Sequence, residues 1–264
     1  MILPRLLVRM FGVVALPILP LAANAQQTDQ TARELASRVV LESLHAAVNF
    51  KPNGFLGVQR DEELEQSLEV AAGGQTGFRY IYKVSPAGYE VRKDSVTYHV
   101  WTDVDPLFIV AVNPANGNIY RIHGFGVEVS RNEFQKLMTS LHVRIGSEDQ
   151  AESIVDFYRK VNPGNRSFTP ILDLLELKQA AERQCQTVPF DPSEKGFEAW
   201  WKHAKTTYAR DSFQQTATRS GVGYAVEWIV LSSPGAGLCG GAALRARVEV
   251  GSTGEIGEIS FRPL

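Results

Sequence analysis

Hydrophobic and polar positions are organised most clearly between Ser95 and His123, where three runs rich in Val, Ile, Tyr and Phe are separated by turn-rich clusters. The pattern predicts a three-stranded antiparallel meander. A loop at Asp103 to Pro106 is expected to pair Thr102 with Leu107, and a turn over Asn113 to Gly117 to pair Val112 with Asn118. In that register His99, Trp101, Phe108, Val110, Val112, Tyr120 and Ile122 share one face. Tyr98, Val100, Ile109, Ala111, Ile119, Arg121 and His123 share the other. Both faces are largely apolar, so both must be covered. A helix over Thr31 to Val48 is expected to cover one; the second half of the chain or a partner must bury the other, unless it stays open as a groove.

Capping boxes of the Ser/Thr-x-x-Glu/Gln type predict helix starts at Thr31, Ser130 and Ser147. Asp61 to Ala72 reads as a short helix with acids in its first turn, Thr169-Pro170 as the start of one through Leu172, Leu175 and Ala180, and Ser193 as the start of a third. Strands are predicted over Phe78 to Val84, Tyr89 to Lys93 and Tyr224 to Leu231. A closing hairpin, Ala243 to Val250 with Glu255 to Phe261, is expected to set Arg247 opposite Glu258. Val112 and Ile119 flank one turn as Val250 and Ile256 flank the other, a weak internal echo. The fold class is therefore α+β, in two helix-then-antiparallel-sheet halves, 26–146 and 147–264. Its element order is similar to that of small cystatin-like and nuclear-transport-factor-like rolls, an analogy of architecture alone.

The N-terminus changes the compartment. Arg5 and Arg9, an apolar run from Met10 to Leu21 and the small residues Ala23 and Ala25 form a secretory signal peptide over 1–25, with cleavage expected after Ala25. Twelve apolar residues broken by Pro17 and Pro20 fall short of the ~20 that span a bilayer, and no later segment reaches that length. The localisation expected is secreted or periplasmic, and Gln26 to Gln30 reads as a polar, disordered lead-in. Losing two arginines and no acid takes the formal net charge from -2 to -4, which gives no electrostatic case for nucleic acid. In an oxidising compartment the two cysteines, Cys185 and Cys239, are expected to pair, closing a loop whose constraint stabilises by about 4 kcal/mol.

Candidate chemistry is sparse. His99, Asp103, Asp105 and His123 are metal-ligand or acid/base residue types, but the register sets the two histidines on opposite faces, so no metal site is expected. Trp200 and Trp201 lie on a helical stripe with Phe197, Ala204 and Tyr208, which reads as packing, with one ring buried and the other at an edge. The glycine-rich Ser232 to Gly241 lacks the Lys-Ser/Thr and the helix of a phosphate loop. No cofactor is implied. The reading is a non-catalytic binding or interaction module for an unknown protein or small apolar ligand, with His99, Trp101, Phe108 and Tyr120 as candidate ligand-binding residues. The alternative is a hydrolase with an unrecognised site around His99 and Asp103.

Overall fold

A computed structural model describes residues 19–47, 51–52, 56–74, 76, 78, 80–86, 89–93, 96–100, 108–114, 116–162, 169–186, 194–209, 211–232 and 240–264. The chain runs α1 (Leu19–Ala47), β1 (Lys51–Pro52), β2 (Leu56–Arg60), α2 (Glu62–Ala71), β3 (Ile81–Pro86), β4 (Tyr89–Lys93), β5 (Val96–Val100), β6 (Phe108–Asn113) and β7 (Asn118–His123). It continues through α3 (Val127–Ser140), α4 (Glu148–Lys160), α5 (Leu174–Gln186), α6 (Glu194–Thr207), β8 (Thr216–Ser220), β9 (Gly223–Leu231), β10 (Ala243–Val250) and β11 (Ser260–Pro263). This is an α+β protein with two four-stranded antiparallel sheets, ordered β2-β3-β6-β7 and β11-β10-β9-β8. No helix among the described residues is long and apolar enough to cross a membrane.

The expected meander is rearranged. β5 does not join β6; it pairs with β4 in a separate sheet of order β1-β4-β5. The second neighbour of β6 is β3, with Tyr82 opposite Val110 and Val84 opposite Phe108. A central strand buried on both faces needs neighbours that are apolar on both. β3 offers Ile81 to one face and Tyr82 and Val84 to the other, whereas β5 carries Thr97 and His99.

The register of β7 also differs, by one residue. Asn113 lies opposite Asn118, so Val112 faces Ile119 and Ala111 faces Tyr120. Gly117, at φ +71°, donates its N–H to the Asn113 carbonyl at 2.8 Å, and Asn116 Oδ1 accepts from Asn118 N at 3.0 Å, which tightens the turn. A slip of one turns the strand over, and Phe108 and Tyr120 consequently lie on opposite faces. In the second hairpin Val250 pairs with Ile256, the counterpart of Val112 with Ile119. Arg247 lies opposite Ser260 instead of Glu258: the Val250–Ile256 pair shifts the register by one, and one extra residue between Ile256 and β11 shifts it by another; its carboxylate partners are Glu227 and Glu249.

Both faces of the β2-β3-β6-β7 sheet are covered. Ala32, Ala36 and Val40 of α1 pack on Tyr82, Val84, Phe108, Val110 and Val112, as expected for that helix. The other face, with Ile81, Ile109, Ala111, Tyr120 and Ile122, shares one core with α2, α3, α4 and the Val226, Trp228 and Val230 face of β9. The core thus runs across position 146, with α2, α3 and α4 as a middle layer between the sheets. On the far face of the second sheet Ile229, Leu231 and Ala243 pack against Leu177 and Ala181 of α5 and Trp200 of α6.

Ser147 caps α4 as expected, accepting from Gln150 N at 3.2 Å, and Asp61 caps α2 through Leu64 N at 2.9 Å. Three other starts move. α1 continues through Gln26 to Gln30 past Thr31, whose hydroxyl donates back to the Gln27 carbonyl; Asp29 is held there by the Tyr82 hydroxyl at 2.7 Å. α3 begins at Val127, a turn before Ser130, which lies on the same buried stripe as Phe134 and Leu137. α5 begins at Leu174, because Asp173 Oδ1 accepts from Glu176 N and Glu176 Oε2 reaches back to Leu172 N, both at 2.8 Å. Thr169 to Leu172 is thereby left outside the helix.

Candidate functional site

One concavity is built on α2 and α4. In α2 the face carrying Leu64, Leu68 and Ala71 is buried, so Glu63, Gln66, Ser67 and Val70, spaced at helical intervals, share the opposite face. In α4 Ser153, Asp156 and Lys160 form the matching face beside the buried Phe157. The helices run antiparallel. Lys160 Nζ, in the last turn of α4, lies 2.8 Å from Ser67 Oγ and 3.4 Å from Glu63 Oε1, and Gln150 near the start of α4 lies against Gly73 just past α2.

The third wall is the non-helical segment Thr169 to Leu172, fixed where Ile171 N donates to the Ile229 carbonyl at 2.8 Å. Together the three walls enclose a cleft of about 700 Å³. Val70 is 64% exposed and Leu172 56%, so two of the three walls present a large aliphatic side chain to water in the cleft. A second hollow of about 790 Å³ shares Thr169, Pro170 and Leu172 with the cleft and is otherwise lined by residues such as Glu176, Ala180, Arg183 and Leu231.

Electrostatics at the floor are settled internally. The Arg159 guanidinium donates to Asp156 and, at 2.5 Å, to Gln215 Oε1, and it lies over the Trp228 ring at 5.2 Å. Burial holds it below the usual arginine value, with the Asp156 and Glu152 carboxylates acting the other way. Glu152 is pushed up, first by burial, although the Ala217 N–H lowers it. Nearby, burial holds the His123 imidazole below its ordinary value, partly offset by a 3.5 Å contact with Asn162 Oδ1. Among the described residues no three His, Cys, Asp or Glu side chains are placed to hold a metal ion.

No family model, no curated protein and no solved structure matches the chain. The cleft is therefore read from its own residues.

Of the candidates expected from sequence, Phe108 and Tyr120 are not among the residues that line it. Phe108 is buried under α1, and Tyr120 is buried on the opposite face of the same sheet. His99 belongs to β5, opposite Glu90 in the separate sheet, and Trp101, Asp103 and Asp105 lie outside the described residues. Trp200 packs in the core beneath α6 and donates from Nε1 to the Gly241 carbonyl at 2.9 Å, while Trp201 lies at the edge near Lys178. Cys185 is buried in α5 and is not a free thiol; Cys239 lies outside the described residues. The cleft did leave two signals in the sequence. Val70 interrupts the polar face of α2, and Leu172 and Leu175 crowd the stretch after Pro170 without falling on the buried stripe of Leu177 and Ala181.

Proposed function

We propose that this chain is an exported, non-catalytic binding protein that takes its ligand in the cleft between α2, α4 and Thr169 to Leu172. The observation that carries the reading is the pair Val70 and Leu172, two large apolar side chains left in water on facing walls of a cleft floored by Phe157. Covering such a side chain is favourable by about 1.5–3 kcal/mol, so an apolar ligand gains from filling the space between them. The volume lies within the ~300–1,000 Å³ of ordinary ligand sites. Among the described residues the walls bear no histidine or cysteine, the residue types that most often act as general base or nucleophile.

Export rests on the leader pattern of 1–25, and a disulfide between Cys185 and Cys239 belongs to the same reading, since the oxidising compartment would form it. A neutral solvatochromic dye titrated into the full chain tests the cleft. Saturable fluorescence at one site, lost in Val70→Glu while the melting temperature is unchanged, is the expected result. Non-saturable fluorescence, or saturable binding indifferent to Val70→Glu, would place the ligand elsewhere and end this reading.

A further inference from the structure

The two cations of the cleft are not equivalent. Arg159 is committed inward to Asp156, Gln215 and the Trp228 ring, and its side chain is mostly buried. These partners also occupy Asp156, which accepts from both Arg159 and Gln215 Nε2. Lys160 is different. Its one carboxylate partner among the described residues is Glu63 at 3.4 Å, beyond the ~2.7–2.9 Å of a strong charge-assisted bond, and the two side chains are 46% and 82% exposed. An exposed pair of this kind holds little energy, so another carboxylate can take the place of Glu63 at almost no cost. Ser67 Oγ, 2.8 Å from Lys160 Nζ, accepts from the lysine, and its own proton can be donated to the carboxylate that the lysine holds.

Along α2 the lining passes from Glu63 through Ser67 to Val70, a change from charged to apolar over about 10 Å at ~1.5 Å per residue. Leu172 faces it from the third wall and Phe157 lies beneath. We propose that the ligand is a carboxylate amphiphile, its head group on Lys160 and Ser67 and its acyl chain along Val70, Phe157 and Leu172. This rests on the cleft being the binding site; what it adds is the sign and chemistry of the head group.

Isothermal titration of the full chain with decanoate, decanol and decylammonium, each below its micelle-forming concentration, separates the two levels. Decanoate is expected to bind one per chain and about tenfold more tightly than the other two, the ratio of one charge-assisted hydrogen bond. Lys160→Met should bring decanoate down to the level of decanol and leave decanol unchanged, and Lys160→Arg should keep the preference. Circular dichroism melts of these exposed variants should coincide with that of the parent chain. Equal binding of all three head groups, or a decanoate preference that survives Lys160→Met, overturns the carboxylate assignment while leaving the cleft. Failure of all three compounds to bind overturns the assignment together with the cleft reading beneath it.

Discussion

Removing the guanidinium of Arg60 should unseat the wall of the cleft that α2 provides. Glu65 is on the buried side of α2, its side chain 7% exposed, and Arg60 at the end of β2 is 29% exposed. Two donors of Arg60, Nε and Nη2, meet the two Glu65 oxygens at 2.8 Å each, and Glu65 Oε1 also accepts from Ile81 N at 3.1 Å. This carboxylate therefore ties α2 to both β2 and β3. Arg60→Met keeps the aliphatic stem but leaves a buried charge with a single backbone donor.

Breaking a buried pair from one side costs about 3–5 kcal/mol. Water reaching the partly exposed position of Arg60 relieves some of this, so about 2–4 kcal/mol is expected. Guanidinium chloride unfolding at neutral pH, extrapolated linearly, measures it. The decisive variant is the double one, Arg60→Met with Glu65→Gln. A neutral amide still accepts from Ile81 N but needs no cation, so the second substitution should recover more than half of the loss. A single-variant cost below about 0.5 kcal/mol, or a double variant less stable than Arg60→Met alone, would refute the claim that an uncompensated carboxylate is what destabilises.

Three further outcomes are expected. Because burial holds folded His123 below the unfolded value of 6.5, the unfolded chain binds the proton more readily; stability present above that pH is lost as pH falls through the folded value, and His123→Gln should flatten the urea midpoint between pH 7 and pH 5. Gly240→Ala should cost about 1–3 kcal/mol in thermal unfolding, since the glycine has φ +79° and a methyl group there would stand 2.5 Å from the Trp200 indole. Protein recovered after export should begin at Gln26 by intact mass and take up no alkylating agent before reduction; two alkylated cysteines without reductant would remove the disulfide from the reading.

Elements with a local cause were legible in the sequence. Ser147 and Asp61 announce α4 and α2 because a short oxygen side chain before an apolar stripe satisfies the first free N–H groups within three residues. Val112 with Ile119 and Val250 with Ile256 announce their turns for the same reason of proximity. Where two local signals compete, tertiary packing chooses. Ser130 has the form of a cap, yet its place on the stripe of Phe134 and Leu137 draws it into the core, and the helix starts a turn earlier. The β3–β6 pairing was hidden because it skips a hairpin, and what decides it is the two-sided apolar character of β6, not the closeness of β5 in the chain.

The cleft combines both kinds of illegibility, which is why Phe108 and Tyr120, singled out from sequence, do not line it. Phe108 and Tyr120 drew attention as aromatics on a strand, but an aromatic strand residue between two layers is far more useful as core, and both are buried. Val70, Lys160 and Leu172 drew none, because their meaning depends on an antiparallel contact between α2 and α4 and on where α5 begins. Had Thr169-Pro170 opened that helix as expected, Leu172 would have been turned into a helical first turn and the third wall would not exist. The Asp173 cap, with Glu176 reaching back to Leu172 N, starts the helix late and keeps Leu172 outside it and in water. One aspartate, by delaying a helix, thus sets the position of the apolar wall opposite Val70, and Asp173→Ala is the substitution that connects the capping chemistry to the binding proposed for the cleft. It should weaken decanoate binding without touching a single residue that lines the cleft, whereas unchanged binding would mean that Ile171 on Ile229 is enough to hold the wall.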